Sequence, residues 1–250
     1  MRHQEIQTYY KNHYYISHRD MGSVKRLVGL VDVVVIFVND SLSKWTELAQ
    51  RQYRSTQRSA MQYILKTAHS RGVKLRIRNA YLTANVSMAC GRDNYAQWTQ
   101  AITTQFGSPD LASFQRSFKA KHLCDEAPVL FVFNRTFRSN AAYADWESRM
   151  AGEMARISAP ATEHTIVHEL LHQFGAVDLY YPAEVHTMIQ NMRYNSVMAW
   201  STSMEIDSLT SYLIGWSDSI NVAAEQILSR TAHFTRDYMF AAIKREYQRR

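Results

Sequence analysis

The chain has 250 residues, of which 46% are hydrophobic and 20% charged, and its formal net charge is +7. That balance suits one large domain or two small lobes with a real core and excludes a disordered chain; the scarcity of glycine (8) and proline (4) argues against a loop-rich or fibrous one. The longest apolar run, Leu27 to Val38, is short for a bilayer and contains Asp32, and no secretory signal follows Met1, so a cytoplasmic protein with no membrane partner is expected.

Residues 1–26 are polar and rich in Tyr and His, and read as a weakly ordered lead-in. Val33 to Asn39 is a continuous β-branched run, which reads as a buried strand. Ser41 or Ser43 can cap a long amphipathic helix that follows, with Trp45, Leu48, Ala49, Tyr53, Ala60, Met61, Ile64 and Ala68 at helical spacing and an end near Gly72. Val73 to Asn79 alternates apolar and basic residues, as a half-exposed strand does. Strand, long helix and strand together predict a βαβ start with the two strands parallel.

Residues 92–122 read as polar helices broken near Gly107 to Asp110, inserted between sheet strands. Pro128 to Arg135 is the next strand, and residues 139–160 read as a long connection. After Pro182 come a loop, the segment Asn195 to Ser201, and two helices near Asn221 to Ser229 and His233 to Gln248. The expected organisation is a single domain over 1–250. Its sub-lobes are about 27–175, α/β and ending in the helix described next, and 176–250, mostly helical. Cys90 and Cys124 lack metal spacing and read as plain reduced thiols.

The stretch Thr165 to Pro182, TIVHELLHQFGAVDLYYP, carries the chemistry. Pro160 and Thr162 stand where a helix would begin, and Ile166, Val167, Leu170, Leu171 and Phe174 give it a wide apolar face. His168 and His172 are four apart, so both project from one side and can meet one zinc ion from consecutive turns. Gly175 ends the helix with positive φ, and Asp178 follows in position to be a third ligand. Two histidines and a carboxylate leave a coordination place for water, as hydrolytic zinc requires. Glu169 sits beside His168, within reach of that water, as a general base.

HELLHQFGAVD (His168 to Asp178) resembles the extended zinc-binding helix of the metzincin clan of metallopeptidases. Most of that clan has histidine as the third ligand; aspartate at position 178 is similar to the snapalysin branch. The resemblance implies an α+β zincin-like fold with a mixed twisted sheet, one catalytic zinc on His168, His172 and Asp178, and Glu169 as general base. It also implies a methionine turn, for which NSVMAW offers Met198 as packing support beneath the metal. Some metzincins place a tyrosine two residues beyond that methionine; here Trp200 stands there, and Tyr180 or Tyr181 is the candidate for oxyanion or substrate contact.

In this clan an edge strand beside the active-site helix binds the peptide substrate antiparallel, and Val129 to Phe137 is the candidate. Its continuous apolar character equally suits a central strand with no free edge. The expected partners are a protein or peptide substrate and a regulatory partner. His3, His13 and His18 could in principle block the metal.

Arg51, Arg54 and Arg58 lie at helical spacing, Lys74, Arg76 and Arg78 line one face of a strand, and the C-terminus ends IKREYQRR. Such a face could attract nucleic acid or an acidic protein, though no nucleic-acid motif accompanies it. The alternative to a zinc endopeptidase is therefore a catalytically silent zinc protein that binds such a partner.

Overall fold

A strand as apolar as VVVIFV is stable only when both faces are covered, and β1 (Gly29–Asn39) lies inside a sheet with eight consecutive residues buried. The computed structural model describes residues 19–20, 23–143, 152–181 and 183–230. In these residues the fold is α+β, with a mixed five-stranded sheet and seven helices. After β1 come α1 (Glu47–Ser70), β2 (Leu75–Asn85), α2 (Tyr95–Gln105), α3 (Leu111–His122), β3 (Val129–Phe133), β4 (Asn140–Tyr143), β5 (Glu153–Ser158) and α4 (Glu163–Gln173). Then follow α5 (Ala183–Asn191), α6 (Ser208–Leu213) and α7 (Val222–Arg230). The strand order is β2-β1-β3-β5-β4; β4 alone runs antiparallel to its neighbour. No helix among the described residues is long and apolar enough to cross a membrane.

The described residues divide into two compact units, one within Gly22–Phe174 and the other formed by residues 175–230 with Arg19 and Asp20. In the first unit, α2 and α3 place Trp98, Ile102, Leu111, Phe114 and Phe118 on one face of the sheet, against Val34, Ile36, Phe131 and Phe133. On the other face Phe37 gathers Trp45, Tyr53 and Tyr81 at ring-centroid distances of 4.8 to 6.1 Å. The helix α4 packs against α1, β5 and β4.

β1 and β2 are parallel in the expected order, but β1 begins four residues before Val33. Asp32 is tolerated inside it because Arg78 of β2 meets its carboxylate with both Nε and Nη2, at 2.6 and 2.8 Å. Several other expectations are corrected. The α1 cap is Thr46, whose hydroxyl accepts from Ala49 N–H, rather than Ser41 or Ser43. Leu48 is exposed, at 60%, and does not join the buried face of α1. The helices of 92–122 are polar only outwardly, since their inner faces build the core.

The connection over 139–160 contains both β4 and β5, and the loop after Pro182 contains α5, where Val185, Met188 and Ile189 turn inward. Of the lead-in, residues 1–18, 21 and 22 lie outside the described residues; Val24 is buried, and Arg19 lies over the Tyr212 ring at 4.2 Å and donates to Ser217 O at 2.8 Å. The expected helix at His233 to Gln248, the C-terminal IKREYQRR and the three tail histidines His3, His13 and His18 lie outside the described residues.

Candidate metal centre

The helix that carries the motif is defined at both ends. Thr162 is its cap, accepting from Thr165 N–H at 3.1 Å. At the other end Phe174 N–H returns to Leu171 O, and Gly175 takes φ +94°, the left-handed conformation that lets the chain leave a helix abruptly. Ile166, Val167, Leu170 and Leu171 are fully buried, so packing fixes the rotation of the helix. Gln173 adds a polar tie by accepting from Val129 N–H of β3 at 3.0 Å.

The four-residue spacing brings His168 and His172 together on one face. Their Nε2 atoms are 3.1 Å apart and their rings meet edge-on, at 88° with centroids 4.7 Å apart. Donors at a zinc–nitrogen distance of about 2.0–2.1 Å from a tetrahedral centre stand about 3.3 Å apart, so this spacing fits chelation of one ion. Glu169 completes a group whose candidate ligand atoms all lie within 4.8 Å of one another. His168 and Glu169 are buried and His172 is half-buried. Two imidazoles and a carboxylate in a largely dry setting are a donor set suited to a divalent metal.

His164 was not singled out by the His-Glu-x-x-His spacing. It lies one turn before His168 and stacks on its ring, at 5.7 Å and 26°. The signal for it was present, since 164, 168 and 172 repeat every four residues along one helix face.

Asp178, Tyr180, Tyr181 and Met198 belong to the second unit. Asp178 and both tyrosines are half-buried, while Met198 is fully buried. Leu179 N–H donates to Met198 O at 2.9 Å, lacing the Asp178 segment to the turn Val197 to Ala199. That turn is held in place by Asp207, which spacing arguments also missed. Asp207 caps α6 by accepting from Leu209 and Thr210 N–H, and it also accepts from the hydroxyls of Tyr194, Ser196 and Thr210. Ser196 Oγ in turn accepts from Met198 N–H at 3.0 Å. Burial, followed by the charge of Asp207, pushes the Tyr194 hydroxyl far above its ordinary pKa, so it remains a donor. Trp200 donates from its indole to Tyr194 O at 2.9 Å and lies 5.3 Å from the His186 ring.

The strand Val129–Phe133 has no free edge. It lies between β1 and β5 with all five residues buried, which removes it as a docking strand. The edge beside α4 is β4, paired antiparallel to β5 through Asn140 to Tyr143. Of the basic residues, Arg78 is committed to Asp32, and Arg54 lies over the Tyr81 ring at 4.6 Å. Both cysteines are free thiols and buried. A scan against protein-family models finds none that matches this chain, and a search of curated proteins finds no match either.

Proposed function

We propose that this chain is a zinc-dependent endopeptidase of the metzincin type, with a zincin-like fold. The observation that carries the proposal is the 3.1 Å approach of His168 and His172 Nε2 with the Glu169 carboxylate in the same group. His168 and His172 would hold the ion through Nε2, Asp178 would be the third ligand, and Met198 would give packing support. A bound zinc supplies Lewis acidity and lowers the pKa of water toward neutrality. Glu169 holds the proton taken from the attacking water and delivers it to the leaving amine. Its burial keeps bulk water from competing for that proton.

The antiparallel edge strand β4, packed beside α4, supports a peptide substrate that lies extended along that edge. Tyr180 and Tyr181 are the candidates for contact with the carbonyl oxygen.

The test compares new protein N-termini made by the wild type and by Glu169→Gln, with zinc content measured on both. New termini from the wild type alone, with zinc retained by the variant, are expected. Equal cleavage by Glu169→Gln would exclude Glu169 as the base. Zinc in both proteins and cleavage by neither would favour the silent zinc protein that acts through its basic face.

A further inference from the structure

β2 closes one side of the sheet and is the longer of its two edge strands, with eleven residues and neither proline nor glycine. Two bonds set the phase of its ladder with β1. Gly29 N–H donates to Lys74 O at 2.8 Å, and Val86 N–H donates to Asn39 O at 2.9 Å. In a parallel ladder alternate residues face the neighbour. Arg76, Arg78, Ala80, Leu82 and Ala84 therefore bond β1, and the odd-numbered residues from Leu75 to Asn85 turn their N–H and C=O groups outward.

The two ends of this outward row are closed. His69 Nε2 donates to Leu75 O at 2.9 Å. Gln105 accepts from Asn85 N–H at 3.1 Å and donates to Asn85 O at 2.9 Å, behaving as a one-residue substitute for a strand. Between these stops lie Ile77, Asn79, Tyr81 and Thr83, and no described strand pairs with them. Edges are ordinarily blunted by proline, a bulge, brevity or charge; here the only such device is the basic charge of Arg76 and Arg78 at one end, which repels basic but not acidic strands.

The surroundings select what can add there. After Glu47, α1 contains no carboxylate and carries Arg51, Arg54, Arg58 and Lys66. Arg51 and Arg58 are exposed, and Arg54 is fixed over Tyr81 beside the window. On the other face of the sheet Arg76 is exposed, and β2 itself has no acidic residue. A second copy paired antiparallel about Ala80 would set two such α1 helices side by side on one face, opposing like charges. A nucleic acid could meet the charge but has no alternating amide donors and acceptors to complete a ladder.

We propose that the outer edge of β2, from Ile77 to Thr83, docks an extended acidic segment of a partner protein as a sixth strand. Backbone pairing supplies the affinity, and the arginines on both faces select for acidic side chains. This site is independent of the metal centre, which lies on a different helix, and it stands or falls apart from the peptidase proposal.

The experiment uses the full chain carrying Glu169→Gln, so that no probe can be cut, and a peptide of alternating glutamate and valine. Amide hydrogen exchange is read residue by residue by NMR. Binding is expected to slow exchange at Ile77, Asn79, Tyr81 and Thr83 and to leave the even-numbered amides, already bonded to β1, unchanged. Thr83→Pro, which removes an outward N–H without touching the β1 ladder, should weaken binding about tenfold. Arg58→Glu should also weaken it, and decides the matter if the proline variant does not fold. A peptide with lysine in place of glutamate should not bind. Protection without the period of two, unchanged affinity in these variants, or binding of an oligothymidylate but not of the acidic peptide would each overturn the proposal.

Discussion

Leu179 N–H donates to Met198 O at 2.9 Å, which ties the residue next to Asp178 to the centre of the turn Val197 to Ala199. The position of that turn depends in its turn on Asp207, because Ser196 bridges the Asp207 carboxylate to Met198 N–H. Asp207→Ala is expected to cost about 2–4 kcal/mol, since it leaves buried hydroxyls of Tyr194, Ser196 and Thr210 without their shared acceptor. Thermal unfolding of Asp207→Ala beside Ser196→Ala checks this. The aspartate variant should lose more, and equal losses would mean that the carboxylate is not the hub.

The histidine pair leads to a metal prediction. His168→Ala and His172→Ala should each fail to retain one zinc per chain after dialysis, while Glu169→Gln retains it and loses peptide hydrolysis by about a hundredfold or more. Asp178→Ala should release zinc to a chelator faster than the wild type. Release at the wild-type rate would remove Asp178 from the ligand set.

How much of this was legible in the sequence depended on how each element is stabilised. β1 and α4 declared themselves because an apolar run and a capped helix with four-residue spacing are local signals. β5 did not, because Glu153, Arg156 and Ser158 interrupt its apolar character, yet all six residues are buried. They are accommodated by long-range partners: Glu153 accepts from Ser23 N–H, the Arg156 guanidinium lies 3.9 Å from the centre of the Phe137 ring, and Ser158 donates to Arg135 O. No local pattern announces such partners. The position of β3 in the sheet was equally non-local, since VLFVF reads the same at an edge or in the middle until its neighbours are known. The candidate donor pair was legible because it needs only one helix; Asp207 was not, because its partners are spread over the turn that precedes α6.

A second buried carboxylate gives a pH prediction. Asp40 is fully buried; burial alone would raise its pKa, but the N–H groups of Cys90, Ser43 and Leu42, with Arg135 2.7 Å away, outweigh burial and hold it below its ordinary value of 3.8. A carboxyl depressed on folding contributes stability above its unfolded pKa, and that contribution is lost as the pH falls through the lower folded value. Asp40→Ala should therefore lose about 3–5 kcal/mol near neutrality and show a shallower further loss of stability in acid than the wild type. Denaturant titrations at neutral and acid pH measure both effects, and parallel acid profiles would contradict the account.

The thiol of Cys90 is pushed up to about 12, by burial first and then by the Asp40 charge. Cys124 is also raised, again mainly by burial. In the folded protein at mildly alkaline pH, Cys90 should resist iodoacetamide and react only when the chain is unfolded. Mass spectrometry of the alkylated protein checks this, and rapid labelling of Cys90 in the native state would contradict its burial.

The strand order also sets a sequence of events during synthesis. β3 can join β1 as soon as it leaves the ribosome, but its other side must wait for β5, with β4 made in between. Until then VLFVF presents an uncharged hydrophobic edge, the kind of segment that recruits chaperones or neighbouring chains. The helix bearing His168 and His172 emerges only after the strand that covers this edge, so the first unit can close this hydrophobic edge before the histidine pair is made.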